Sequence, residues 1–239
     1  MEIGAQLWIL SQTEPAEAEA VITQLAGAGY AFTEIMFGQP PTQRVPGLPV
    51  HSIHVALSGM PDLDALVQSA NQLGATVVCV SGPLKWHERT ADDYVASALA
   101  LNQIGKRLAT AGLGVQYHNH EFEFDGYPDG SSGWEVLVRD LDPKYVGFCF
   151  DAGWAARVGR DPVPIIAGLG ARIGSLHLRD FAGSRSAPLG QGDLDLEPVI
   201  EAVRSYAPLA RVLVEQDPSE DPLGCMVASR RYLTDQFGL

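Results

Sequence analysis

Eight short apolar runs recur along the 239-residue chain, at roughly 3–9, 31–36, 50–57, 75–81, 114–120, 146–151, 173–179 and 210–216. Each has the length of a strand, and most are followed by a stretch with helical periodicity. Helices are expected over 14–28, with Thr13 placed to cap the first turn and Gly29 to end the last, and over 61–73, opening at Pro61. Further helices are expected over 91–112, 132–141, 162–169, 195–206 and 222–236. Strand alternating with helix implies a parallel sheet, and eight such units imply a closed one, so the fold class is α/β, a single (β/α)8 TIM barrel. Such barrels take about 250 residues. No glycine-rich linker divides the chain, and one domain over 1–239 is expected. The second unit is degenerate: residues 38–49 contain Pro40, Pro41, Pro46 and Pro49, which remove backbone donors, so a loop is expected there.

The polar residues cluster where the last four runs end. Those ends read Tyr117-His118-Asn119-His120-Glu121, Phe150-Asp151-Ala152-Gly153-Trp154, Leu176-His177-Leu178-Arg179-Asp180 and Val214-Glu215-Gln216-Asp217. They lie too far apart in sequence to form one local motif and can meet only if parallel strands present their ends on one side. Strand parity supports this. Gln116, His118 and His120 share one face, as do Gly147, Cys149 and Asp151, and Ser175, His177 and Arg179. The opposite faces, Val115 and Tyr117, Phe148 and Phe150, Leu176 and Leu178, are apolar or aromatic and suit packing against helices. The polar set therefore points into the barrel, at the end where this fold carries its active sites.

Asp151, His177 and Glu215 combine carboxylates with a neutral imidazole, a ligand set for Mn²⁺, Mg²⁺, Co²⁺ or Zn²⁺. A divalent ion held there would polarise the carbonyl of a hydroxy-ketone while a carboxylate beside it takes a proton from the neighbouring carbon. Each residue alone has an ordinary structural reading, a helix cap for the Asp or a packed polar side chain for the His. Ligand-type groups on four strand ends of one parity are harder to explain that way.

These residues also carry a family resemblance. The chain resembles the xylose-isomerase-like barrel superfamily of sugar isomerases, epimerases and dehydratases, from Met1 to the C-terminal helix and most densely after residue 114. Residues 117–124, Tyr-His-Asn-His-Glu-Phe-Glu-Phe, look like the strand-five signature of the sugar phosphate isomerase/epimerase branch. Asp151-Ala-Gly-Trp154 with Gly159-Arg-Asp-Pro162 is similar to the Asp-x-Gly-His…Gly-Gly-Asp-Pro segment of inosose dehydratases. Val214-Glu-Gln-Asp-Pro218 resembles their last-strand Glu-Gln-Asp-Pro. His177-Leu-Arg-Asp180 looks like the family's His-x-Lys-Asp, and 189–195 resembles its Gly-x-Gly loop.

The resemblance implies that Asp151, His177 and Glu215 are metal ligands, that Glu215 also transfers protons and that Arg179 contacts substrate oxygens. Glu34 matches a strand-two acid of the superfamily, and His54, Trp8 and His120 are expected at the substrate. Lys85, Trp86 and His87 follow the fourth run and are placed to cover a sugar. Two departures bear on the reaction. His118 falls where tagatose 3-epimerases use a glutamate as fourth ligand and second base, leaving His118, Glu121 and Glu123 as candidates for the fourth ligand. Trp154 replaces a histidine beyond the strand-six Asp and could stack on a sugar face or pack against the rim. The expected activity is a metal-dependent sugar isomerase or epimerase. The alternative is an inosose-dehydratase-type lyase, with His118 as the acid for a departing hydroxyl.

Charge narrows the partners. The formal net charge is −13 and the only lysines are Lys85, Lys106 and Lys144, which argues against nucleic acid or an anionic membrane. It also argues against the apurinic-site endonuclease branch, which needs more histidines than these six and a basic face. A non-catalytic sugar-binding barrel is disfavoured by the intact Asp/His/Glu set. A phosphorylated substrate would want a basic cluster, and only Arg179, Arg185 and Lys85 are available, so a non-phosphorylated sugar or cyclitol is expected. Cys79, Cys149 and Cys225 form no CxxC pair and read as reduced thiols. With no basic n-region at the N-terminus and no spanning segment of 18 or so apolar residues, a cytoplasmic enzyme is expected. The shortened second unit could alter a homo-oligomer interface.

Overall fold

The computed structural model describes residues 1–12, 14–39, 48–87, 89–128 and 130–239. In chain order the strands are β1 (Ile3–Gln6), β2 (Phe32–Met36), β3 (Val50–Ala56), β4 (Val77–Ser81), β5 (Gly114–His118), β6 (Val146–Asp151), β7 (Ile173–Leu178), β8 (Asp180–Ala182), β9 (Arg185–Ala187) and β10 (Arg211–Val214). Eight of them, all but β8 and β9, are parallel and close into a barrel in which β1 pairs with both β2 and β10. The helices are α1 (Pro15–Gly27), α2 (Leu63–Leu73), α3 (Ala91–Ala109), α4 (Gly133–Asp140), α5 (Ala152–Arg157), α6 (Pro162–Leu169), α7 (Leu196–Tyr206) and α8 (Pro222–Phe237). The eight apolar runs are the eight barrel strands.

Local chemistry explains where the helices start. Thr90 and Asp93 form a reciprocal capping box on α3, as do Ser132 and Glu135 on α4. Asp62, Asp161 and Asp195 cap α2, α6 and α7. Each cap is worth about 1 kcal/mol. Between β2 and β3 no helix occurs among the described residues 37–39 and 48–49. The rest of the loop expected there, residues 40–47, and the Thr13 cap lie outside the described residues.

The sheet sorts its faces as parity requires. Phe148 and Phe150 point outward from β6 and pack on Trp134 of α4, with ring centroids 5.2 and 5.7 Å apart. Between the outer sheet face and the helices lies the hydrophobic core, in which Tyr94, Tyr117, Ile53 and Leu176 are fully buried. The inner face is polar. Gln6, Glu34, Ser52, His54, Cys79, Gln116, His118, Cys149, Asp151, Ser175 and His177 are all buried there. Register staggers them around the barrel: His54 lies opposite Cys79, His118 opposite Cys149 and Asp151 opposite His177.

Three features depart from the periodic pattern. The first strand stops at Gln6, and Leu7–Gln12 coils into a 3-10 turn, so Trp8 sits on a turn and not on a strand. Asp151 turns the chain at once into α5 by accepting the Trp154 N–H at 2.9 Å. The antiparallel hairpin β8–β9 follows β7 directly. Strands and helices this short carry too few residues for a period to register.

Gly153 shows how closely α5 approaches the site. A Cβ at this position would collide with the carbonyl and side chain of Arg179. Gly153→Ala is therefore expected to destabilise the protein by about 1–3 kcal/mol, although alanine is the better helix former. Urea unfolding measures the change, and a stabilised variant would show that α5 has room to move away.

Candidate metal centre and active site

The C-terminal mouth of the barrel gathers His118 from β5, Asp151 from β6, His177 from β7 and Glu215 just past β10. One ligand atom from each lies within 4.8 Å of those of the other three, and all four residues are buried. His177 Nδ1 is 2.7 Å from Glu215 Oε2, and His118 Nε2 is 3.5 Å from both Asp151 Oδ2 and Glu215 Oε2. Neither ring nitrogen of His118 makes a hydrogen bond, although the side chain is 1% exposed. Leaving a buried imidazole nitrogen unsatisfied costs about 1–3 kcal/mol. Two imidazoles and two carboxylates with orphaned nitrogens fit a divalent cation.

Of the three candidates for the fourth ligand, His118 is the one in this cluster. Glu121 turns outward to Arg157, 3.3 Å away. Glu123 is buried on the other side of β5, where it accepts the Tyr117 hydroxyl at 2.6 Å and the His120 N–H at 2.7 Å.

Arg179 links the centre to its rim. Its Nε donates to Asp151 Oδ2 at 3.0 Å, Nη2 reaches Glu215 Oε1 at 2.5 Å and Nη1 reaches Asp217 Oδ1 at 2.5 Å. The guanidinium lies 4.7 Å from the Trp154 ring centre. Burial opposes a charge on Glu215, but Arg179 and the two histidines outweigh it and hold the carboxyl well below the usual carboxylate range. His120 moves the opposite way: burial, then His118 and Arg179, push it well below the ordinary histidine value, so it stays neutral.

Above the cluster opens a cavity of about 280 Å³. Trp8, Trp86, Trp154, Met36 and Ala56 supply apolar wall, while Gln6, His54, Ser81, His120, Arg179 and Asp217 supply polar groups. Glu215 and His118 form its floor. Three residues expected at the substrate, Lys85, His87 and Glu34, do not line this cavity. Lys85 is exposed and paired with Asp93 at 3.8 Å, because the chain after β4 turns Trp86 inward and leaves Lys85 in solvent. Glu34 is fully buried beneath the floor. It accepts Ser52 Oγ at 2.6 Å, holds His54 Nδ1 at 2.8 Å and lies 3.3 Å from His177 Nε2. It supports two histidines and does not line the cavity. His87, like Lys85, is exposed.

Several supporting residues lie inside the sequence motifs without a role that the sequence assigned. Asn119 exchanges two hydrogen bonds with the Asp151 backbone, at 2.9 and 3.1 Å, tying the exit of β5 to that of β6. The Asp180 carboxylate accepts the N–H groups of Phe181, Gly190, Gly192 and Leu194, which fixes the Gly-Gln-Gly loop against the hairpin. Ser186 on β9 accepts from Gln216 Nε2 at 2.8 Å, so the hairpin also steadies the segment bearing Asp217. These partners sit far apart in sequence. The side-chain types in His-Asn-His and Arg-Asp were the available hint.

A closed parallel barrel with ligand-type side chains converging at its C-terminal mouth defines a TIM-barrel protein with a candidate metal centre. The chain belongs to the xylose isomerase-like TIM barrel family, whose profile matches residues 56–224. An inosose dehydratase of Clostridium tetani is 26% identical over 173 residues, covering 63% of this chain and 57% of that protein, so the match spans little more than half of the relative's length. Among solved structures, a sugar phosphate isomerase/epimerase from Parabacteroides distasonis superposes with a TM-score of 0.82 at 21% identity, over 99% of this chain and 98% of the other. The zinc-bound IOLI protein superposes with a TM-score of 0.75 at 12% identity, covering 98% and 97%. No helix among the described residues is long and apolar enough to cross a membrane.

Glu123 gives the site's support a pH signature. Burial, opposed by the hydrogen bonds from Tyr117 and His120, raises its carboxyl from 4.5 to about 7. An acid with a raised folded-state pKa binds more protons folded than unfolded between those values. Its contribution is therefore present below the lower value and lost as pH rises through the upper one. Unfolding free energy should fall by on the order of 2–3 kcal/mol between about pH 5 and pH 7. Glu123→Gln should flatten that slope, and an unchanged slope in chemical denaturation would assign it to other groups.

Proposed function

We propose that this protein is a metal-dependent enzyme acting on a small, non-phosphorylated sugar or cyclitol, moving a proton next to a carbonyl as an isomerase or epimerase. The observation that carries this reading is the four-donor cluster beneath an aromatic-walled cavity. His118, Asp151, His177 and Glu215 would hold the cation. When bound, it would supply electrophilic polarisation of a substrate carbonyl.

The remaining roles belong to the chain itself. Trp8, Trp86 and Trp154 offer flat apolar surface to the carbon face of a sugar ring, while Gln6, Ser81 and His120 can bond its hydroxyls. Among the described residues Arg179 carries the one guanidinium on the cavity wall, and three carboxylates already partner it, which leaves little attraction for a phosphate. Glu215 is the carboxylate at the cavity floor, placed to take the proton. His118 directs Nε2 at the other donors, so a ligand role occupies the nitrogen that an acid role would need. His54 faces the cavity with Nδ1 held by Glu34. Burial disfavours its charge, yet Cys79 and Glu34 lift it to about 9. It is the histidine suited to give a proton back.

Dehydration is the second reading. Glu121 and Glu123 both lie away from the cluster, so β5 supplies no second carboxylate for two-base epimerisation, and the inosose dehydratase relatives point the same way. Turnover on ketoses, 3-keto-sugars and inososes with added Mn²⁺ separates the two. A product of unchanged mass supports isomerase or epimerase, and a mass lower by one water assigns a lyase.

Asp151→Ala removes an anionic ligand and should weaken Mn²⁺ binding by at least about 10-fold. Undiminished affinity in calorimetry would reject the ligand set. Glu215→Gln should lower deuterium uptake at the carbon beside the carbonyl by about 10² to 10⁴ in rate. Wild-type exchange in that variant would move the base elsewhere.

A further inference from the structure

The three carboxylates around Arg179 are not equivalent. Each nitrogen of the guanidinium fork faces one of them: Nε lies 3.0 Å from Asp151 Oδ2, Nη2 2.5 Å from Glu215 Oε1 and Nη1 2.5 Å from Asp217 Oδ1. One face of the fork rests on the Trp154 ring, 4.7 Å from its centre. Asp151 and Glu215 also belong to the four-donor cluster, so a divalent cation there would draw on both. Asp217 lies outside that cluster and lines the cavity above it. Its side chain is 34% exposed, against 0% for Asp151 and 7% for Glu215, so it is the partner that meets the cavity opening. It is also held in place. Ser186 Oγ on β9 accepts the neighbouring Gln216 amide at 2.8 Å and the Asp217 N–H at 3.4 Å.

We propose that Asp217 is a specificity-determining residue: its fixed carboxylate takes the edge of Arg179 that an anionic group of a substrate would need, and so restricts the cavity to uncharged substrates. The inference rests on the reading of the site as a metal centre for a sugar or cyclitol, and it adds the residue that excludes charged analogues. Arginine recognises carboxylate and phosphate oxygens through adjacent N–H groups of its planar fork. Here the edge bearing Nη1 points toward the most open of the three partners, and the chain itself fills it. Charge balance leads to the same residue. A bound divalent cation would offset Asp151 and Glu215, and Arg179 would offset Asp217, which leaves these groups with no excess positive charge. Without the Asp217 charge, the guanidinium would stand unopposed on a partly desolvated wall, where attraction for an anion is stronger than in water. Specificity then comes from an element that opposes the wrong ligand, in addition to the contacts that hold the right one.

Sulfate is the probe, titrated by calorimetry into the whole protein loaded with Mn²⁺. Asp217→Asn keeps the shape of the side chain and removes its charge, while Asp217→Ala also opens the edge of the fork. Both variants should bind sulfate at least about 10-fold more tightly than wild type. Their Mn²⁺ affinity should be unchanged, because Asp217 is not one of the four donors. Adding Arg179→Gln to Asp217→Ala should abolish the gain, which separates binding at the guanidinium from coordination to the ion. Wild-type protein that binds sulfate with a Kd of about 1 mM or tighter overturns the proposal without a variant having to fold. Variants that keep Mn²⁺ and gain no sulfate affinity overturn it, as does a gain that survives the loss of Arg179. Loss of Mn²⁺ binding in both Asp217 variants would make Asp217 a support of the metal centre and also overturn its assignment. Failure of uncharged sugars and inososes to turn over, with the sulfate gain intact, would count against the proposed function and leave Asp217 as the residue that excludes anions. Turnover of such a substrate with no sulfate gain would do the reverse.

Discussion

Three carboxylates, Glu34, Asp151 and Glu215, are withdrawn from water inside the barrel, and the organisation of the mouth depends on how their charge is balanced. An unpaired ion in such a place would cost several kcal/mol. Here each has a partner directed at it: Arg179 spans Asp151 and Glu215, His177 spans Glu215 and Glu34, and His54 rests on Glu34. The network crosses β2, β3, β6, β7 and the end of β10. It exists only because the barrel closes and brings strands distant in sequence side by side.

That balance also sets what the centre can do. Because three carboxylates already partner Arg179, the cavity combines a low net attraction for anions with a floor of metal-type donors. The aromatic walls add a surface suited to ring carbons. The hairpin β8–β9 contributes indirectly, since Ser186 steadies the segment carrying Asp217 and Asp180 ties down the loop beyond it. Second-level contacts of this kind keep a site from becoming loose.

The interior is unusual in the depth to which polar groups extend. Barrel cores of this fold are commonly filled by branched aliphatic layers. Here glutamate, histidine, serine and cysteine occupy successive inward positions below the mouth, and the hydrophobic contribution comes from the outer layer between sheet and helices. Folding stability and site chemistry are thereby separated into two concentric shells.

The sequence alone determined the shell arrangement. Alternating strand and helix patterns, strand parity and the polar strand ends were enough to specify a parallel barrel whose His118, Asp151, His177 and Glu215 face inward at one end, because these are local periodicities. It did not reveal α5 or the β8–β9 hairpin, which are too short to show a period. It also left the fourth ligand open among His118, Glu121 and Glu123, since parity fails once a strand ends and the chain coils. Only the tertiary structure decided that Glu123 turns back to Tyr117, that Lys85 stays in solvent and that Glu34 lies beneath the floor. Those outcomes depend on the tilt and register of strands many residues apart, which no local pattern encodes.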